Sequence, residues 1–162
     1  MDMDNQMNNS NYNPNDQVPL EGLMVAQAPN FKKGDSVTLL VDHVMAHMVM
    51  KMKGAPATIV AGYNTRAYAV DFYTTNDHTL VKDHKWIIQR EIKGETDDSP
   101  ALSIGSKITI EANHMPGMRG AEATIVDSQE GNIYIVDVPA YEGQKPMMNH
   151  RWFMQDEMKP RN

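Results

Sequence analysis

The chain repeats itself, and the repeat narrows the folds open to it. Gly34-Asp35-Ser36-Val37-Thr38-Leu39 is followed by Asp42-His43, Lys53-Gly54-Ala55, Tyr68-Ala69-Val70-Asp71 and Asp83-His84-Lys85-Trp86. The same series returns as Gly105-Ser106-Lys107-Ile108-Thr109-Ile110, Asn113-His114, Arg119-Gly120-Ala121, Tyr134-Ile135-Val136-Asp137 and Asn149-His150-Arg151-Trp152. The offset is 71 residues from His43 to His114 and 66 from Trp86 to Trp152, so the first copy carries five extra residues at one place. That place is a loop. His114-Met115-Pro116-Gly117-Met118 in the second copy is expanded to His43-Val44-Met45-Ala46-His47-Met48-Val49-Met50-Lys51-Met52 in the first. Units of this length are near the lower limit for a self-sufficient core. The expected organisation is therefore a tether over 1–30 and two small repeat domains, 31–94 and 95–162, that support each other or are stabilised by a ligand.

Within each copy the pattern is all-β. Short β-branched runs at 37–41, 58–60, 68–72 and 86–88, and their counterparts at 108–110, 124–126, 133–138 and 152–154, are separated by glycine turns. Gly-Asp-x-Val followed by Lys-Gly is similar to SH3-like barrels of the KOW type, so two tandem SH3-like barrels are expected. In such a barrel the first and last strands are antiparallel neighbours. That would bring His43 beside His84, and His114 beside His150.

The loops carry the chemistry. The chain has 14 methionines and no cysteine. Thioether sulfur and imidazole together suit a soft metal, with copper the leading candidate and Cu(I) favoured over Cu(II). Methionine in place of cysteine also fits an oxidising compartment outside the cytoplasm. The candidate ligands are His43, Met45, His47, Met48, Met50, Met52 and His84 in the first copy, and His114, Met115, Met118 and His150 in the second. Each also has a structural reading. Methionine fills gaps in cores, and His84 and His150 can hydrogen-bond a strand-end carbonyl. Asp42 and Asn113 either orient the following imidazole or open an ordinary Asx-turn. His78 reads as an exposed loop residue, and Trp86 and Trp152 as core. If histidine ligates the metal, affinity is expected to weaken as pH falls through about 6.5, where free imidazole takes its proton.

Several classes are disfavoured. A net charge of −6 with a pI near 5.4 offers no basic stripe for nucleic acid. No Gly-x-Ser-x-Gly elbow, phosphate loop, His-Glu-x-x-His helix or cysteine nucleophile is present, and Asp71 and Asp137 lack a readable acid–base partner. An enzyme and an organic cofactor are therefore not expected. The apolar runs are strand-sized, and the Asn- and Met-rich opening, with Met1, Met3 and Met7, reads as a disordered tether.

The string from Asn113 to Ile125, followed by Asn149-His150-Arg151-Trp152, resembles the YdhK family of bacterial surface lipoproteins, and both copies match it across roughly 31–160. Some members are similar to the copper-binding, copper-resistance lipoprotein CopL. The resemblance implies a Gram-positive cell-surface copper binder, attached by a lipid anchor that this chain does not carry, with a copper exporter or the cell wall as partner. The expanded loop at 44–52 departs from the shorter family pattern, so either His43 or His47-Met48 corresponds to His114-Met115. The rival reading is a cell-wall or protein-interaction module without a metal role, its methionine loop serving as an adaptable apolar surface.

Overall fold

The β-branched runs do become strands, but two of them extend far past the turns that should have ended them. The computed structural model describes residues 12–45 and 48–162, without the side chains of residues 45, 48 and 49. Its strands are β1 (Ser36–Leu39), β2 (His43–Met45), β3 (Met48–Met50), β4 (Pro56–Tyr73), β5 (Leu80–Ile88), β6 (Lys107–Thr109), β7 (Glu122–Val138), β8 (Met147–Met154) and β9 (Met158–Pro160). Single 3-10 turns, Gln89–Glu91 and Gln155–Glu157, follow β5 and β8. Seven strands form one antiparallel sheet in the order β9-β1-β4-β7-β6, with β5 also paired to β4 and β8 to β7. The β2–β3 hairpin stands apart as a two-stranded sheet.

The protein is all-β as its pattern indicates. The two tandem SH3-like barrels are not what the pairing shows: the copies share one sheet, and it does not close. The reason lies in β4 and β7. Residues 61–66 look like a turn between two strands, yet they continue β4 because Ala61 to Arg66 pair with Ile135 to Glu130 of the other copy. Backbone groups that a turn would have to satisfy locally are satisfied across the repeat instead. Gly62 permits the crossing, since a Cβ there would lie 2.6 Å from the Tyr134 ring.

First and last strands are neighbours, but the last strand comes from the other copy. β1 pairs with β4 on one side and with β9, from the end of the second copy, on the other, setting Leu39 opposite Met158. Reciprocally, Ile110 of the second copy bridges Ile92 at the end of the first. The cores follow this exchange. One apolar cluster joins Val37, Leu39, Met52 and Ile59 to Tyr134, Val136, Phe153 and Met158. Another joins Tyr68, Phe72, Ile87 and Ile92 to Ile110, Met115, Met118 and Ile125. A third sets Trp86 and Ile88 with Ile133 and Trp152. Full burial of one such side chain contributes about 1.5–3 kcal/mol, so each copy depends on the other for half of every cluster.

Residues 12–30, assigned to the tether by composition, lie against this body. Leu23 is buried and Leu20 packs beside it on the tryptophan cluster. Asp16 pairs with Arg119 at 2.9 Å, and the Val18 carbonyl accepts from Arg151 at 3.0 Å. Met1, Met3 and Met7 lie outside the described residues.

Candidate metal centre

Four histidines reach one region because each is aimed by a local device that both copies share. The residues before His84 and His150, Asp83 and Asn149, sit in the left-handed region at φ 53 each. Asp and Asn tolerate that conformation better than other side chains. Their N–H groups donate to Asp71 Oδ1 and Asp137 Oδ1, both at 2.7 Å. The repeated aspartates, which have no readable chemical partner in the sequence, hold the backbone kink ahead of each histidine. The ladder shifts register there, setting His84 opposite Val70 and His150 opposite Val136.

His43 and His114 are held differently. Asp42 Oδ1 accepts the N–H groups of Met52 (2.8 Å) and Lys53 (2.9 Å), closing its loop. Asn113 Nδ2 donates to the carbonyls of Asn13 and Asp16. The side chains that fix the imidazoles are instead two buried glutamates, each from the opposite copy. His43 Nε2 lies 3.1 Å from Glu157 Oε2, and His114 Nε2 lies 2.8 Å from Glu91 Oε2. Glu157 also accepts the Trp86 indole N–H at 2.8 Å and the Met154 N–H at 2.9 Å. Glu91 accepts Trp152 at 2.9 Å, Ile88 N–H at 3.0 Å and Arg151 at 3.1 Å. The sequence alone does not point to either glutamate as a site residue, although it carries a signal: Glu follows Trp by five positions in both copies.

The ring pairs follow the strand exchange. His43 lies 6.5 Å from His150, centre to centre, and His84 lies 6.2 Å from His114. The pairs expected within a copy are replaced by pairs between copies, although all four rings remain in electrostatic reach of one another. Phe153 stacks on His43 at 4.2 Å.

Burial first, then repulsion from the neighbouring imidazoles, pushes His84 and His150 down to about 3, so both rings are neutral near pH 7. Burial alone would raise Glu91. The charge and hydrogen bond of His114, then Arg151 and Trp152, outweigh it and hold Glu91 at about 2. Glu157 follows the same logic: burial opposes ionisation, while His43, Trp86 and the Met154 N–H lower its pKa.

Three ring nitrogens are buried without a hydrogen-bond partner: Nδ1 of His43, Nδ1 of His114 and Nε2 of His150. His84 Nδ1 lies 3.0 Å from the Val44 carbonyl, which can only accept. Its proton is therefore on Nδ1, and Nε2 is the basic nitrogen of the neutral ring. An unsatisfied buried polar atom costs about 1–3 kcal/mol. Holding one imidazole nitrogen on a carboxylate or carbonyl while the other stays bare is how metal-ligating histidines are oriented. Among the described residues no three His, Asp or Glu side chains surround a single point.

Sulfur is available beside the rings. Met50 is the cross-strand partner of His43, and it lines a cavity of about 280 Å³ together with His114, Met147, Met148 and His150. Met147 and Met148 were not singled out, although the run Met-Met-Asn-His places them next to His150. Met52, Met115 and Met118 sit inside the apolar clusters. His47 lies outside the described residues, as do the side chains of Met45 and Met48. Trp86 and Trp152 are core residues, and His78 is exposed, stacked on Tyr73 at 4.6 Å.

A family model described as a protein of unknown function (DUF1541) matches twice, over residues 33–89 and 104–155. The chain belongs to the DUF1541 family. Its two DUF1541 segments contain His43 and His84, and His114 and His150, with Glu91 and Glu157 each two residues past the matched end. The chain is 37% identical over 138 residues to the uncharacterized protein YdhK of Bacillus subtilis strain 168. The match covers 85% of this chain, which spans 64% of the length of that relative. A crystal structure of YdhK, described as a DUF1541 family protein, is similar with a TM-score of 0.77 at 36% identity, covering 87% of this chain and 91% of that one. The solution NMR structure of the YdhK C-terminal domain gives 0.68 at 36% identity, covering 80% and 93%.

Proposed function

We propose that this DUF1541 chain is an extracytoplasmic copper-binding protein, favouring Cu(I), that sequesters copper at the cell surface and is not an enzyme. The observation that carries the reading is the set of buried imidazole nitrogens without partners: Nδ1 of His43 and Nδ1 of His114, on rings whose other nitrogen is fixed by Glu157 or Glu91, and Nε2 of His150. A purely structural buried histidine normally satisfies both nitrogens. On His43 and His114 a neutral ring turns its proton to the glutamate and leaves Nδ1 as a lone pair, as the Val44 carbonyl leaves one on Nε2 of His84, and a lone pair is what a cation requires.

The donor set fits copper. Imidazole serves Cu(I), Cu(II) and Zn(II), whereas the thioethers of Met50, Met147 and Met148, which line one cavity with His114 and His150, select Cu(I). His43, His84, His114 and His150 would hold the metal, with Met50 paired across the hairpin from His43. A chain that has methionine and no cysteine suits an oxidising surface. Lipid anchoring, the likeness to CopL and a role in copper resistance, with an exporter or the cell wall as partner, belong to the same proposal.

Titration of the metal-free protein with Cu(I), Cu(II) and Zn(II) against competing chelators tests it. Tight Cu(I) uptake that exceeds Zn(II) uptake is the expected result. Absence of uptake for every one of the three metals would overturn it.

A further inference from the structure

We infer that the chain takes two monovalent copper ions, each clasped between the copies by one histidine from each: His43 with His150, and His84 with His114. The inference rests on the copper-binding reading above and specifies its ligand sets.

The spacing points to a two-coordinate arrangement. With metal–nitrogen bonds of about 2 Å, two imidazoles on one ion stand roughly 5 Å apart, centre to centre, in a tetrahedral site and roughly 6.5 Å apart in a linear one. The pairs stand at 6.5 and 6.2 Å, close to the linear value. Cu(I) accepts two nitrogens in a line, whereas Zn(II) prefers a closed set of four. A single ion held by all four rings would gather at least three of them about one point, and no such gathering exists among the described residues.

Each pair has at least one buried ring nitrogen without a partner, and each has its own anion. The first offers His43 Nδ1 and His150 Nε2, with Glu157 behind His43. The second offers His114 Nδ1 and the basic Nε2 of His84, with Glu91 behind His114. A buried carboxylate behind one ligand strengthens that imidazole as a donor and balances the charge of a monocation. The two sites differ in sulfur. Met50 faces His43 across the hairpin that contains the extra residues of the first copy, so a third, thioether ligand is available to the first pair. Each ion would then bind together the copies whose strands are exchanged.

The test uses the whole chain, histidine-labelled with ¹⁵N and loaded with Ag(I), a redox-inert stand-in for Cu(I) with a magnetic nucleus. Coupling should link one silver to nitrogens of His43 and His150, and a second silver to nitrogens of His84 and His114. Silver held by methionine alone gives no such coupling and does not confuse the count. Couplings that join His43 to His84 or His114 to His150, or all four rings to one silver, would overturn the inference while leaving copper binding intact. No uptake of either Ag(I) or Cu(I) would remove both. Substitutions give an independent reading of Cu(I) stoichiometry. His43→Ala, His150→Ala and the double variant should each lose the same one equivalent, whereas His43→Ala combined with His84→Ala should lose two. Loss of two equivalents from the first double and one from the second would contradict the pairing.

Discussion

The Trp152 indole of the second copy donates to the Glu91 carboxylate of the first at 2.9 Å, and Trp86 of the first donates to Glu157 of the second at 2.8 Å. These reciprocal bonds lock the strand exchange, and the same two carboxylates fix His114 and His43. Glu91 is fully buried with four donors, so its removal strands Arg151 and an indole N–H inside the body. Glu91→Ala should destabilise the metal-free protein by about 3–5 kcal/mol, the usual loss when one partner of a buried pair is deleted. Glu130, whose side chain is 66% exposed and 3.7 Å from Arg66, is the comparison. Glu130→Ala should shift stability by less than about 1 kcal/mol. Urea denaturation of both variants measures the difference.

The all-β class and the two-copy plan were legible because strand periodicity and repetition are local properties of the sequence. The histidines were legible as residue types with a repeated spacing. Their partners were not, because the offset between Trp86 and Trp152 reveals that two copies exist but says nothing of which copy supplies the neighbouring strand. Glycines at 54 and 62 look alike in sequence, yet one ends a turn and the other lets Tyr134 cross a continuous strand. Glu91 and Glu157 escape a sequence reading for a related reason. A glutamate after a strand reads as solvated, and only the indole N–H and imidazole arriving from the other copy make it a buried anion.

Acid should weaken the metal-free fold from near neutrality downward. His84 and His150 lie at about 3 in the folded chain and near 6.5 when unfolded. Between those values the unfolded chain binds more protons, so stability falls as pH falls through that window. Glu91, lowered to about 2, adds a second loss in the same direction below the ordinary carboxylate range near 4.3. The midpoint of urea unfolding, followed from about pH 7.5 to about pH 4, should therefore decline steadily. A midpoint independent of pH would show that the rings are not held neutral.

The same values alter the expected pH response of metal binding. An unperturbed imidazole would lose copper to protons as pH drops through about 6.5. His84 and His150 do not take up protons until far lower, so Cu(I) affinity at these rings should persist to about pH 5 rather than fade below neutrality. Chelator competition at several pH values, restricted to conditions where circular dichroism reports an intact fold, distinguishes the two behaviours.

Methionines separate by position. Met118 is fully buried among Ile110, Ile125 and Phe72, and Met52 is its counterpart among Leu39 and Ile59. Met118→Leu and Met52→Leu conserve volume and should cost less than about 1.5 kcal/mol, with Cu(I) stoichiometry unchanged. Met50→Leu should leave apo stability similarly intact but lower Cu(I) affinity, because Met50 faces His43 and lines the cavity. A larger Cu(I) loss in Met118→Leu than in Met50→Leu would place the sulfur ligand in the core instead.

Aim of the histidines should depend on the residue that precedes them. Asn149 adopts φ 53 immediately before His150, with its N–H on Asp137 Oδ1 at 2.7 Å. Glycine occupies this conformation freely, whereas a β-branched side chain in it is penalised by about 1–2 kcal/mol. Asn149→Gly should therefore keep both fold and copper affinity, and Asn149→Val should lower stability by that amount. Asp137→Ala removes the acceptor without altering the permitted backbone angles. It should loosen the kink and misdirect His150, weakening copper by about 10–100-fold, the usual effect of losing a group that orients a ligand. Asp71→Ala tests the equivalent support behind His84. If Asp137→Ala bound copper with wild-type affinity, the aspartate would serve only the strand, and the alignment of His150 would have to come from its packing against Phe153 at 5.6 Å.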